Sequence, residues 1–193
     1  AMDNANNTSS LYVFKNRDIA KKVFSQKNTD GDNALLIAMK RKYYDIVKII
    51  LSLEGDMFDI NCRDSEGKTP LMLSILSDMG NIFDLLYSFD TLDVNLQDYS
   101  GYSAVMYCIE KSGEYFNNRL LHDVEKKFTP EYKNFNSTDF VQNKSSEECL
   151  KYCIKLLDHP KINLNEFDFE GRTLIHYVNS LIEKEKSEPK PIC

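Results

Sequence analysis

Residues 61–72 read NCRDSEGKTPLM and combine a turn, a helix start and the beginning of an apolar run. The Asp-x-x-Gly phrase predicts a tight turn, because Asp64 can bond its own backbone and Gly67 tolerates a left-handed conformation. Thr69 is a residue type that caps helix N-termini, and Pro70 suits the first helical position, where no N–H is needed. The stretch therefore predicts a turn that opens directly into a helix.

This junction recurs along the chain with a constant period. Similar phrases follow Gly31, Gly67, Gly101 and Gly171, which are separated by 36, 34 and 70 residues. Aliphatic pairs recur independently at steps of 35, 35 and 36 residues, namely Ile50-Leu51, Leu85-Leu86, Leu120-Leu121 and Leu156-Leu157. Two markers of different chemistry share one period, which indicates an array of repeated units.

Each unit contains a turn with Gly, a short apolar helix, a second helix ending in the aliphatic pair, and an Asp-Val-Asn type of return. With the Thr-Pro-Leu helix start, this order resembles the ankyrin repeat, whose period is about 33 residues. The resemblance covers roughly residues 28–186 and is closest over 61–94. It implies an all-α solenoid of helix-turn-helix units with short hairpin turns, built from about five repeats and an N-terminal capping helix.

The expected domain bounds follow from the resemblance and from composition. We expect a disordered polar lead over residues 1–10, a capping helix over 11–27, the ankyrin-repeat domain over 28–186 and a C-terminal tail over 187–193. A solenoid needs caps because its terminal units would otherwise expose an apolar face. Helical positions Ile19, Ala20, Val23 and Phe24 share one face and suit that role.

Residues 112–146 have two interpretations. The 70 residues between Gly101 and Gly171 equal two periods, which favours a degenerate repeat with Asn136 in the place of Gly. Asn is the residue besides Gly that most readily adopts a positive φ. The alternative is a helical insertion, because this segment contains no Asp-x-x-Gly turn.

The net charge, the lengths of the apolar runs and the Cys count exclude several classes of protein. A net charge of −6 over 193 residues is unlike a duplex-binding surface, which needs clustered Lys and Arg. No apolar run approaches the roughly 18 residues of a membrane span, so we expect a soluble protein. Five Cys is an odd number, and most of them lie in apolar helical runs. We interpret them as reduced thiols of an intracellular protein, in the cytoplasm or nucleus.

The resemblance implies that a partner protein binds on the concave face, at the turn tips and first helices. Aromatic and Arg side chains dominate interface hot spots, because they bury much area for few frozen torsions. The alternative is that each ring packs on a neighbouring repeat. We expect a monomer that binds an extended segment or a helix without a cofactor. The candidate partner-binding residues are Tyr99, Tyr102, Phe169, Arg172, Lys68, Glu66, Phe167, Lys40 and Arg41.

Two further function classes remain open on the sequence. One is a regulatory ankyrin domain of a larger transcription cofactor or signalling scaffold, because the chain reaches Cys193 without an apolar helix after Ile182. The other is a Cys/His-dependent enzyme or a metal site at Cys149, Cys153 and His159. The two Cys lie one turn apart on an apolar helix and lack a fourth ligand at suitable spacing, so core packing explains them better. We therefore expect neither catalysis nor a bound metal.

Overall fold

The computed structural model describes residues 17–53, 57–112 and 144–187. In this part of the chain the regular structure is helical, as expected, and β-structure is limited to the bridges Gln97–Ser103 and Phe167–Thr173. None of these helices is both long enough and apolar enough to cross a membrane. The helices are α1 (Arg17–Ser25), α2 (Ala34–Lys40), α3 (Tyr44–Leu51), α4 (Pro70–Leu76), α5 (Gly80–Tyr87), α6 (Ala104–Ser112), α7 (Lys144–Leu157) and α8 (Leu174–Ser187).

Four turns precede first helices: turn 1 (28–33), turn 2 (64–69), turn 3 (98–103) and turn 4 (168–173). In turn 2, Asp64 Oδ1 accepts from the backbone N–H of Glu66 at 2.9 Å and of Lys68 at 2.8 Å. Turns 3 and 4 repeat these bonds with their own Asp, and turn 1 uses an Asn. The Gly of each turn has φ between 75° and 83°. The predicted turn chemistry is confirmed.

Two of the first helices begin at a side-chain cap, and one of these caps is the predicted Thr69. The Thr69 side chain accepts from the N–H of Met72 at 3.4 Å, and Pro70 is the first residue of α4. Asn33 caps α2 in the same way, 3.0 Å from the N–H of Leu36. A capped helix start leaves fewer orphan N–H groups, so the turn can pass directly into the buried apolar helix.

The helices form two layers with the core between them. α2, α4, α6 and α8 are the first helices that follow the turns, and α3, α5 and α7 form the second layer. In the second layer, the Tyr152 ring of α7 stacks on Phe83 of α5 with centroids 4.3 Å apart. α1 packs against α2 and buries Phe24, whereas Ile19 and Val23 remain exposed. The apolar face predicted for α1 is therefore partly buried among the described residues.

Turn 4 lies directly on turn 3, which bears on the two interpretations of residues 112–146. Gln97 Nε2 donates to the carbonyl of Phe167 at 2.8 Å, and Asn95 Nδ2 donates to that of Lys161 at 2.7 Å. α6 packs against α7 as the two helices of one pair. Because these turns touch, no unit fits between them, and the contacts favour the insertion over the degenerate repeat. The chain between the two helices, residues 113–143, includes the proposed Asn136 turn and lies outside the described residues.

The described residues thus hold three helix pairs and the first helix of a fourth unit. α8 continues to Ser187, the first residue of the expected tail. The expected lead over 1–10 and the rest of the tail, 188–193, lie outside the described residues.

Candidate functional site

Three aromatic rings stand exposed at turns 3 and 4, two of them within the turns and one, Phe167, directly before turn 4. Tyr99, Phe167 and Phe169 have 59 %, 60 % and 78 % of their surface accessible. Tyr99 and Phe169 occupy the same position, directly after the turn Asp. The Tyr99 N–H donates to the Glu66 carbonyl at 3.0 Å, which holds its backbone in the stack. Phe167 and Phe169 are therefore presented to solvent, whereas the Tyr99 ring also lies against turn 2, where its Cδ1 would be 2.7 Å from a Cβ on Gly67.

Tyr102 and Arg172 follow the turn Gly and are engaged with each other. Arg172 Nη2 lies 3.0 Å from the Tyr102 hydroxyl and 3.2 Å from that of Tyr177. Its guanidinium carbon is 5.1 Å from the centroid of the Tyr177 ring, within the range of a cation–π contact. These side chains link turn 3 to turn 4. Both therefore pack on a neighbouring repeat, which was the alternative to partner binding.

Asp168 is the buried centre of this cluster, with 1 % of its side chain accessible. Its Oδ2 accepts from the Tyr177 hydroxyl and from Arg172 Nε, both at 2.6 Å. Burial alone would raise the pKa of Asp168, but the bonds from Tyr177 and Arg172 outweigh it and hold that pKa at about 2. Burial, and then the bond to Asp168, raise the pKa of Tyr177, so its hydroxyl stays a donor at neutral pH.

The same arrangement occurs in turn 3, where the Tyr107 hydroxyl donates to Asp98 Oδ2 at 2.5 Å. In both units the Tyr lies nine residues after the turn Asp. This spacing is visible in the sequence, and it is the signal that would have identified the network before the structure was known.

The Asp168 network predicts a loss of stability in acid. An ordinary Asp titrates near pH 4, so a folded-state pKa of about 2 means that the folded state favours the charged form. The stabilisation is complete above about pH 4 and is lost as the pH falls towards 2. We expect the difference in unfolding free energy between the wild type and Asp168→Asn, measured in urea, to shrink between pH 5 and pH 2.5. A difference that is constant over this range would contradict the assignment.

The predicted basic residues have different surroundings. Lys40 Nζ lies 2.8 Å from Asp32 Oδ1 and 3.1 Å from Asp64 Oδ2, so it bridges turns 1 and 2. Burial lowers the pKa of Lys40, but the bonds to the two carboxylates outweigh burial and leave it raised. At the tip of turn 2, Lys68 forms an ion pair with Glu66. Arg41 is exposed at the end of α2.

The cysteines sit in surroundings unsuited to nucleophilic catalysis. Cys149 and Cys153 are buried in the core between the layers. Burial raises the pKa of Cys153 to about 12, and a protonated thiol is a poor nucleophile. Across the described ranges, no group of three or more His, Cys, Asp or Glu side chains is arranged to hold a metal ion. Core packing therefore accounts for the two Cys that the sequence singled out.

Comparisons with known proteins agree with this stack of turns and helix pairs. Residues 4–98 match the family model described as ankyrin repeats (3 copies). No curated protein sequence matches the chain significantly. Among solved structures, an ankyrin repeat domain from Acinetobacter baumannii AYE superimposes with a TM-score of 0.55 at 15 % identity, covering 87 % of this chain and 68 % of that one.

A second similar structure is the ankyrin repeat domain of Bcl-3, described as a unique member of the IkappaB protein family. It has a TM-score of 0.51 at 17 % identity, and the match covers 83 % of this chain and 55 % of that one. This chain thus spans about half the length of the Bcl-3 chain. At such identities the likeness concerns the fold alone. Residues 4–98 are thus similar in sequence to ankyrin repeats, and the described array has the ankyrin-repeat fold.

Proposed function

We propose that this chain binds a partner protein along the tips of its turns, with Tyr99, Phe167 and Phe169 as the principal contacts. Ankyrin repeat domains are general protein-interaction modules, and stacked repeats create an extended binding surface. The observation that carries the proposal is the exposure of Phe169, a large apolar ring with 78 % of its surface accessible at the tip of turn 4.

The other candidate residues fall into two groups. Arg41 and Glu66 are exposed and can extend the contact with the partner. Tyr102, Arg172, Lys40 and Lys68 already hold bonds to neighbouring side chains, so they support the surface on which the exposed rings stand. The partner is an extended segment or a helix, because both can lie along a row of tips and fill the spaces between rings.

The location and oligomeric state belong to the same proposal. We infer an intracellular monomer, since Cys62, Cys108, Cys149 and Cys153 are all free thiols buried in the fold. Buried thiols persist in the reduced state in compartments that glutathione keeps reducing. Direct binding of nucleic acid is disfavoured by the net charge of −6.

The test compares partner capture by the wild type and by Phe169→Ala. We expect the identified partner to be captured at least about tenfold less by the variant, because hot-spot aromatics contribute about 2 kcal/mol or more. Tyr44→Ala is the matched control: it removes an exposed ring at the start of α3, in the other helix layer. Crosslinking followed by mass spectrometry identifies and quantifies the captured protein. Equal capture by Phe169→Ala and the wild type would remove the proposed contact.

A regulatory role within a larger protein is the second candidate. It is favoured by the shared fold with the Bcl-3 domain, which is described as belonging to the IkappaB family. The reading frame of the parent gene distinguishes this role from that of an isolated module: a continuous frame with further domains supports it, and a frame limited to these repeats contradicts it.

A further inference from the structure

Asn61 and Asn95 hold the unit that follows them in the same way. Each lies in a return, the segment that leads from a second helix to the next turn. Asn61 Nδ2 donates to the Thr91 carbonyl at 2.8 Å, and Asn61 Oδ1 accepts from the N–H of Asp93 at 2.9 Å. Asn95 repeats both bonds with the next return, at 2.7 and 2.8 Å. Each side-chain amide therefore uses its donor and its acceptor on two backbone groups of the following return.

The turns are held together by one carbonyl and one Gly. The Glu66 carbonyl accepts from the N–H of Tyr99 at 3.0 Å, and the Ser100 carbonyl accepts from that of Phe169 at 3.4 Å. The Gly that follows each carbonyl residue has no room for a Cβ, which would lie 2.7 Å from the backbone N of the following turn. Gly is therefore required at this position for close approach of the next turn.

The spacing of these contacts is the same in both steps. The amide and the carbonyl bind N–H groups at residues 93 and 99 in one step, and at residues 163 and 169 in the other, so the two groups are six residues apart each time. In both steps the second N–H follows the Asp of an Asp-x-x-Gly turn. One kind of segment, a return followed by a tight turn, therefore fits the same edge of a unit twice.

The last described unit presents the same groups to solvent. Asn165 occupies the position of Asn61 and Asn95; it is exposed, and its side-chain amide has no hydrogen bond to a described residue. The Glu170 carbonyl accepts no bond from the part of the chain that the structure describes. A Cβ on Gly171 would likewise meet nothing described within 4 Å. We call the surface of Asn165, Phe167, Glu170, Gly171 and Ile175 the C-terminal edge.

Two apolar side chains complete the C-terminal edge. Phe167 occupies the position of Arg63 and Gln97, whose side chains donate to a carbonyl of the following unit at 2.7 and 2.8 Å. A Phe ring cannot donate, so the edge has an exposed apolar surface at this position. Ile175 is exposed as well, whereas the equivalent residues of α4 and α6 are buried. An occupant can therefore bury an apolar side chain here in addition to its backbone bonds.

We propose that the C-terminal edge binds a loop of a partner protein that consists of a return-like segment and an Asp-x-x-Gly turn. Asn165 pairs with a carbonyl and an N–H of the segment, and the Glu170 carbonyl accepts from an N–H six residues later, in the turn. Backbone bonds of this kind supply affinity, while an apolar side chain of the loop packs on Phe167 and Ile175. This inference rests on the proposed function, because it names the partner chemistry at the end of the same array.

The experiment uses the full chain and a fluorescein-labelled synthetic peptide with the sequence of residues 160–173, the return and turn that fill the equivalent edge of the preceding unit. We expect it to bind at least fivefold more tightly than a scrambled peptide of the same composition in fluorescence polarisation. N-methylation of the peptide amide at Asn163 or Phe169 should weaken binding at least fivefold, because each change removes one donor. N-methylation at Leu164 is the matched control, since that N–H makes no bond between units.

Variants of the protein locate the binding. We expect Asn165→Ala to weaken peptide binding at least fivefold. Asn81→Ala is the matched control, since it makes the same change at an exposed position of α5 in the second helix layer. Peptide binding with Asn165→Ala tests the C-terminal edge, and partner capture with Phe169→Ala tests the proposed contact, so a failure of either is read separately.

Several outcomes would overturn the proposal. They are equal binding of the scrambled peptide, binding insensitive to Asn165→Ala, and no binding of the peptide at all. Dimerisation of the protein in analytical ultracentrifugation that Asn165→Ala abolishes would also overturn it, because the edge would then belong to a contact with a second copy of this chain.

Discussion

Gly101→Val should destabilise the array by about 3 to 5 kcal/mol, because left-handed strain and overpacking against turn 4 add together. Gly101 has φ of 83°, where a β-branched residue is strained. Its Cβ would also lie 2.7 Å from the backbone N of Phe169 and 2.8 Å from Cα of Asp168. Backbone atoms of a packed turn cannot move aside as a flexible side chain can, so the two turns would separate.

Gly171→Val is the matched control. Gly171 has a similar φ of 75°, but a Cβ there has no atom of the described residues within 4 Å. This variant should therefore lose only the left-handed strain, about 1 to 2 kcal/mol. Urea unfolding followed by circular dichroism measures both changes. If the two variants lost the same stability, the contact between turns 3 and 4 would be wrongly assigned.

The turns and helix starts could be predicted because their interactions are local. Asp64 bonds to residues two and four positions further along, and Thr69 caps a helix that begins at the next residue. The residue types that suit these positions stand together in residues 61–72, so the sequence alone predicts the junction. Its recurrence then predicts the stack, because a unit this small can bury its apolar face only against a neighbour.

An insertion could not be distinguished from a degenerate repeat by its length. The segment between α6 and α7 adds nearly one period, so the spacing from Gly101 to Gly171 fits either interpretation. The contacts that distinguish them join residues about 70 positions apart, such as Gln97 and Phe167. Such contacts have no local signature, and the Leu120-Leu121 pair reinforced the degenerate-repeat interpretation.

The roles of the candidate binding residues could not be predicted, because they depend on side-chain contacts with the neighbouring turn. The sequence places Tyr102 and Arg172 at equivalent tip positions, but only the stacking of turn 4 on turn 3 brings their side chains to 3.0 Å. Lys40 likewise finds Asp64 across a step between units.

Asp168→Ala should destabilise the protein by about 3 kcal/mol, because removing one partner of a buried ion pair leaves the other groups unsatisfied. The carboxylate accepts from the backbone N–H of Glu170 and Arg172, from Arg172 Nε and from the Tyr177 hydroxyl. Arg172 is partly exposed and can turn towards water, which keeps the loss at the lower end of the range for buried pairs. Urea unfolding at pH 7 measures the change.

Two further variants accompany Asp168→Ala. Glu170→Ala is the control for an exposed carboxylate, and Asp168→Asn separates charge from hydrogen bonding. Glu170→Ala removes the exposed carboxylate that lies 3.0 Å from Arg172, and a surface pair of this kind contributes at most about 1 kcal/mol. Asp168→Asn should give an intermediate loss, because Asn28 already holds turn 1 through the same two backbone bonds. If Asp168→Ala were as mild as Glu170→Ala, the buried carboxylate would not hold the turn. If Asp168→Asn were as severe as Asp168→Ala, the charge would matter more than the turn bonds.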